Sequence, residues 1–237
     1  VDGNQGGIMA MNIVEKIDGF VKVKHVLVSV SDKSGLESFI PSLVALNPNV
    51  QVYSTGGTYS KIQQILGDRA TSCLTPVSEY TGQPETQGGL VKTLDFKIYL
   101  GLLTETYNDA HQQDLQRTGA VSIDMVVVNL YPFEETISRP GGTVEEARGN
   151  IDIGGPCMIR ASAKNFIRVA SVVDPGDYGK IISEMTANDG KLSLELRYGL
   201  AQKAFDHTAA YDRHIADFLA GKRFGDVQTC YHMMTAA

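Results

Sequence analysis

The chain has 237 residues, 43% of them hydrophobic and 20% charged, with a net charge of −6. These values fit a soluble globular protein of one large domain, or one domain with a subdomain, able to bury a sizeable core. They exclude non-specific nucleic-acid binding, so any bound anion must be met by local donors, and no apolar run approaches the ~18 residues of a membrane span.

The first residues, VDGNQGG, read as a cloning remnant and lack a signal-peptide core, so residues 1–22 are expected to be poorly ordered or tag-derived and the protein cytoplasmic. His25–Ser31 (HVLVSVS) reads as a mostly buried strand, and Ser31 or Ser34 can cap a helix over about Gly35–Leu46. Val50–Ser54 is a second strand, closed by Thr55-Gly56-Gly57-Thr58 and followed by a helix to about Leu66; Ala70–Leu74 is a third, weaker one. Thr81 to Gly101 is a long segment of poor periodicity with two Gly/Pro signals, the kind of loop that is usually functional or disordered. Glu105–Arg117 suits a helix, and Asp124–Leu130 is the clearest buried strand.

Asn150–Asn165 (NIDIGGPCMIRASAKN) places a carboxylate, a glycine pair and a helix-starting proline ahead of Arg160 and Lys164, which a helix aligns one turn apart. Arg168–Val173 is a further strand, with a turn at Asp174-Pro175-Gly176 and helices over about Tyr178–Asn188 and Ser193–Leu219. Residues 23–220 thus form one domain, with 221–237 as a loosely tied tail. Near-continuous apolar strands alternating with helices predict an α/β fold, a mostly parallel sheet with helices on both faces.

In such sheets ligands sit beyond the carboxyl ends of the strands, where the candidate motifs converge. Thr55–Thr58 offers backbone N–H groups and hydroxyls at a helix start, a phosphate cradle that is neither GxGxxG nor a Walker loop; taken alone, a tight strand–helix turn with a Thr cap explains it equally well. Ser31-Asp32-Lys33 adds a cation at the neighbouring strand end. Lys92 and Lys164 are candidates for proton transfer or oxyanion stabilisation. Asn129 and Tyr131 bring an amide and a phenol to the ligand edge, although Tyr131 alone reads as a core-edge aromatic. Asp152 suits a helix cap, a contact to a substrate amide, or both. His207 and Tyr211, four apart in AFDHTAAYD, read as a helix-packing face. The three cysteines, Cys73, Cys157 and Cys230, form no CxxC pair, and no cluster has metal-ligand spacing.

The motifs SVSDKSGL, STGGT, TGQPE, GGLVKTL, VVVNLYPF, NIDIGGPCMIRASAKN and AFDHTAAYD occur in the order seen in IMP cyclohydrolase, the amino-terminal domain of the bifunctional AICAR transformylase/IMP cyclohydrolase, and over residues 24–220 the chain resembles that family. The resemblance implies a methylglyoxal-synthase-like fold and a hydrolase acting on a cyclic amidine. Its reaction is closure of the purine ring of formyl-AICAR (FAICAR) by dehydration to IMP, the last step of de novo purine biosynthesis. It implies no cofactor, no metal, no nucleic acid or membrane partner, and a homodimer.

Carried over by the resemblance, Ser31, Asp32, Lys33 and Thr55, Gly56, Gly57 and Thr58 would hold the ribose phosphate. Lys92, Thr93, Val128, Asn129, Asp152, Ile153 and the Gly154-Gly155 pair would line the base end. Lys164 would be the proton donor/acceptor, supported by Lys92, Tyr131 and Asp152, and Arg160 is then structural. The family's run RVKTLHP is altered here: Leu90, Asp95 and Phe96 stand in place of its arginine, histidine and proline, which removes a guanidinium and adds a negative charge beside Lys92. Nothing after Leu219 is long enough for a transformylase half, so the chain is either a free-standing cyclohydrolase or an excised domain, and the former is expected. The competing readings are a purine-nucleotide-sensing module on the same fold, resembling the regulatory domain of carbamoyl-phosphate synthetase, and a structural paralogue that has lost both activities.

Overall fold

The structure is a computed structural model that describes residues 13–83, 92–131, 133–138 and 141–234. In chain order its strands are β1 (Phe20–Lys22), β2 (His25–Val30), β3 (Gln51–Ser54), β4 (Leu74–Pro76), β5 (Met125–Asn129), β6 (Ala170–Val172) and β7 (Lys191–Ser193). The α-helices are α1 (Leu36–Leu46), α2 (Gly56–Leu66), α3 (Ala70–Cys73), α4 (Val77–Thr81), α5 (Phe96–Leu103), α6 (Asp109–Thr118), α7 (Phe133–Ile137), α8 (Val144–Gly149), α9 (Gly154–Lys164), α10 (Tyr178–Ala187), α11 (Leu194–Ala220) and α12 (Phe224–Gln228).

Five strands form one wholly parallel sheet in the order β4-β3-β2-β5-β6, the α/β architecture expected. Successive side chains of a strand point to opposite faces, and both faces are covered. Val26 and Val28 of β2 pack with Phe39, Ile40 and Ile62 of α1 and α2 and Ile181 of α10. Leu27 packs on the other face with Ile98 of α5 and with Met158 and Ile159 of α9. Both faces being dry explains why β2 and β5 read as continuous apolar runs rather than alternating ones. The chain reverses its direction of strand addition between β2 and β5, which makes that crevice the topological switch point.

Three local expectations are corrected. Ala70–Cys73 is helical rather than extended, and the strand begins at Leu74. Thr71 Oγ1 donates to the Asp68 carbonyl and Ser72 Oγ to that of Arg69, bonds that a helical turn permits and a strand does not. The helix expected from Glu105 begins at Asp109, because the Asn108 side chain caps it by accepting from the His111 N–H. The second half of the Thr81–Gly101 segment holds α5, capped by Asp95, whose carboxylate accepts from Lys97 N–H.

The described residues ahead of residue 23 pack onto the domain. Phe20–Lys22 pairs antiparallel with Lys191–Ser193, and the buried Arg197 guanidinium donates to the Asp18, Phe166 and Ile167 carbonyls, tying this segment down. Within 221–234, Phe224–Gln228 is helical. Among the described residues no helix is long and apolar enough to cross a membrane.

Candidate active site

At the carboxyl end of the sheet a cavity of about 540 Å³ opens across β2, β3 and β5. The sequence-predicted residues Ser31, Lys33, Thr55, Gly56, Gly57, Thr58, Lys92, Thr93, Val128, Asn129, Tyr131, Asp152, Ile153, Gly154 and Gly155 all line it. One end is cationic. Gly56 has φ +47°, a backbone that L side chains rarely adopt, and a Cβ built on it would lie 3.6 Å from Lys92 Nζ. A Cβ on Gly57 would lie 4.0 Å from Lys33 Cε. Two lysines therefore flank the N-terminus of α2, whose cap residue Thr55 makes no side-chain bond to the helix and pairs its Oγ1 with Ser29 Oγ at 3.3 Å instead. Helix-end N–H groups, the helix dipole and two lysines give this end of the cavity a locally positive character despite the acidic chain.

Several polar side chains expected to hold ligand are occupied by the protein instead. Asn129 Oδ1 accepts from the N–H groups of Ser31 and Asp32, and its Nδ2 donates to the Asp32 carbonyl. The register puts Asn129 beside Val30, which brings its amide to the turn after β2. Thr58 Oγ1 is buried and both accepts from Val30 N–H and donates to its carbonyl, tying α2 to β2. The Asp32 carboxylate accepts from Ser34 N–H, and Ser34's hydrogen bonds hold it below its ordinary value. Asp32 is not part of the main cavity. With Ser31 and Asn129 it lines a neighbouring one of about 640 Å³ that reaches Asp174, Lys203 and His207.

The other end is built from Asp152 and α9. The Asp152 carboxylate accepts from Gly155 N–H at 2.9 Å, so it caps α9, as one of its two readings foresaw. Burial raises its affinity for a proton, and the N–H groups of Gly155 and Gly154 oppose that shift. Glycine is dictated at both positions by close approach: a Cβ on Gly155 would collide with the Asp152 carboxylate and the Leu130 side chain, and one on Gly154 with Thr93 Oγ1. Leu94, Tyr131 and Ile153 give the mouth an exposed apolar rim.

Lys164 stands apart from the other proposed catalytic groups. It is the last residue of α9 and is exposed, about 15 Å along the helix from the glycine pair at 1.5 Å per residue. It lies outside the cavity of its own chain because Asp152 and the glycine pair occupy the opposite end of α9. Arg160 is likewise exposed, its guanidinium 5.7 Å from the Phe205 ring centre. The added charge of Asp95 is turned away from the ligand edge: buried, it accepts from Lys97 N–H and Gln83 Nε2. Leu90, the position of the missing arginine, lies outside the described residues.

Sequence reasoning missed Tyr211 as part of this region. Its phenol oxygen accepts the Asp152 N–H at 2.8 Å. Among the described residues no group of three or more His, Cys, Asp or Glu side chains is arranged to hold a metal ion.

The family model for the MGS-like domain matches residues 35–157, and that for the AICARFT/IMPCHase bienzyme matches residues 162–236. The solved structure titled "Crystal structure of ForH" is similar at 29% identity and a TM-score of 0.70, over 83% of this chain and 99% of that one.

Proposed function

Because the chain belongs to the MGS-like domain family, we propose that it is an IMP cyclohydrolase, closing the ring of formyl-AICAR to give IMP. The match to the AICARFT/IMPCHase bienzyme supports a role in purine biosynthesis. The observation that carries the finer reading is the single cavity shared by the two-lysine cradle and the Asp152 end.

The division of labour follows from the chemistry of the walls. The nucleotide phosphate goes to the N-terminus of α2 beside Lys33, where dipole and charge favour an anion, and Lys92 is left to the base end. The base extends toward Thr93, Val128 and Asp152, under the apolar rim of Tyr131 and Ile153.

Ring closure joins the carboxamide nitrogen to the formyl carbon of the same molecule, and water leaves. Holding both groups in a near-attack pose supplies on the order of 7 kcal/mol or more in well-oriented systems. The formyl oxygen gains negative charge during attack, which the Lys92 ammonium and the Tyr131 phenol stabilise by donating to it. Asp152 takes the proton that the nitrogen loses, and its burial makes it a better base than an exposed aspartate. The oxygen takes up one proton from Lys92 or Tyr131 to become a hydroxyl and a second from the protonated Asp152 as its C–O bond breaks, while the formamide nitrogen forms the new C=N bond and returns its own proton to the donor. Lys164 has no part in this scheme, and a homodimer belongs to the same proposal. Incubating the purified protein with formyl-AICAR and following IMP by absorbance tests it.

A further inference from the structure

The motif AFDHTAAYD falls in the middle of α11, and its tyrosine does more than pack. Tyr211 is buried, its ring 6.2 Å from that of Phe133 in an edge-to-face arrangement. From there its oxygen accepts the Asp152 N–H, across 59 residues of sequence. Asp152 is held at two points: the backbone by Tyr211, the carboxylate by Gly155 N–H. The residue sits on a two-residue approach to α9 whose own cap, Ile153, makes no side-chain cap bond, so the Tyr211 contact fixes the backbone from which the carboxylate reaches the helix.

We propose that Tyr211 is a positioning residue of the site, setting the backbone of Asp152 so that its carboxylate faces both the α9 N-terminus and the cavity. The proposal rests on the cyclohydrolase reading for its kinetic consequence alone. The titratable groups around Asp152 are Tyr99 from α5, Tyr211 from α11, itself beside Asp212, and Lys92 and Tyr131 in the cavity. None of these but Tyr211 is altered by Tyr211→Phe, which keeps the ring against Phe133 and removes only the acceptor.

The test combines carbon-13 NMR titration of the Asp152 carboxyl with formyl-AICAR kinetics, in the wild-type chain and Tyr211→Phe. Asp152 titrates at higher pH in the variant, because the carboxylate loses its alignment with the Gly154 and Gly155 N–H groups. The kcat falls about ten- to hundredfold, as for misplacement of a reacting group by about 1 Å. KM stays within about twofold, because uniform binding is untouched. An unchanged Asp152 titration overturns the proposal. If the wild-type chain has no turnover, the cyclohydrolase reading falls, and the titration by itself still decides the role of Tyr211. If the variant does not fold, amide exchange in the wild-type chain decides: a protected Asp152 N–H supports the proposal and a freely exchanging one overturns it.

Discussion

Asn129 Oδ1 accepts from Ser31 N–H at 2.7 Å, joining the end of β5 to the turn after β2 at the point where the strand order reverses. The same oxygen takes the Asp32 N–H, so one amide holds the wall between the main cavity and its neighbour. Asn129→Ala leaves two partly exposed N–H groups without their acceptor, at a cost of about 0.5–1.5 kcal/mol. IMP affinity falls with it, since Lys33 rides on the released turn. Urea denaturation and calorimetry with IMP check both, and unchanged affinity would contradict the positioning role.

Gly155→Ala places a methyl group on the Asp152 carboxylate and the Leu130 side chain. The overpacking costs about 1–3 kcal/mol and displaces the proposed base, so turnover is lost. Gly199→Ala is the contrast: open space surrounds that position inside α11, and the change stabilises by about 0.4–1 kcal/mol. Thermal unfolding of the two variants should shift in opposite directions.

Asp124 and Arg168 form a buried ion pair at 3.2 Å below β2 and β5. Asp124 also accepts from the N–H groups of Lys24 and His25, and Arg168 donates to the Thr104 carbonyl. Arg168→Leu strands the carboxylate and costs about 3–5 kcal/mol in denaturant unfolding, more than a surface pair would. A loss below ~1 kcal/mol would show that the carboxylate is not desolvated there.

Asp152 binds its proton more tightly folded than unfolded. Its contribution to stability is therefore fully present below the unfolded pKa, near 3.9, and is lost as pH rises through the higher folded value. Asp152→Asn removes this dependence. The stability of the wild-type chain relative to the variant should fall as pH is raised across that acid window. A difference that stays flat with pH would mean that folding leaves the Asp152 titration unchanged.

The strands and the ligand edge were legible because β2 and β5 are buried on both faces and read as apolar runs, and because Thr55–Thr58 and Asp152–Gly155 carry helix-start chemistry. Asn129 lines the cavity as the motifs suggested, yet its service to Ser31 depends on strand adjacency that no local pattern encodes. Lys164 followed from motif position, whereas its distance from Asp152 is simply the length of α9. Tyr211 was visible only as a packing residue, since its partner lies 59 positions away. The Ala70–Cys73 turn was missed because short hydroxyl residues bond back to carbonyls one turn earlier, an option that strand propensity does not count.

The central claim is tested most directly by the rate of IMP formation from formyl-AICAR with the wild-type chain and Lys92→Ala, each compared with the spontaneous reaction. The cyclohydrolase assignment predicts clear acceleration by the wild-type chain and its loss in the variant, by a factor of about 10²–10³, the scale of removing one oxyanion donor. Tight IMP binding with no acceleration by the wild-type chain would contradict it and identify a nucleotide sensor on the same fold.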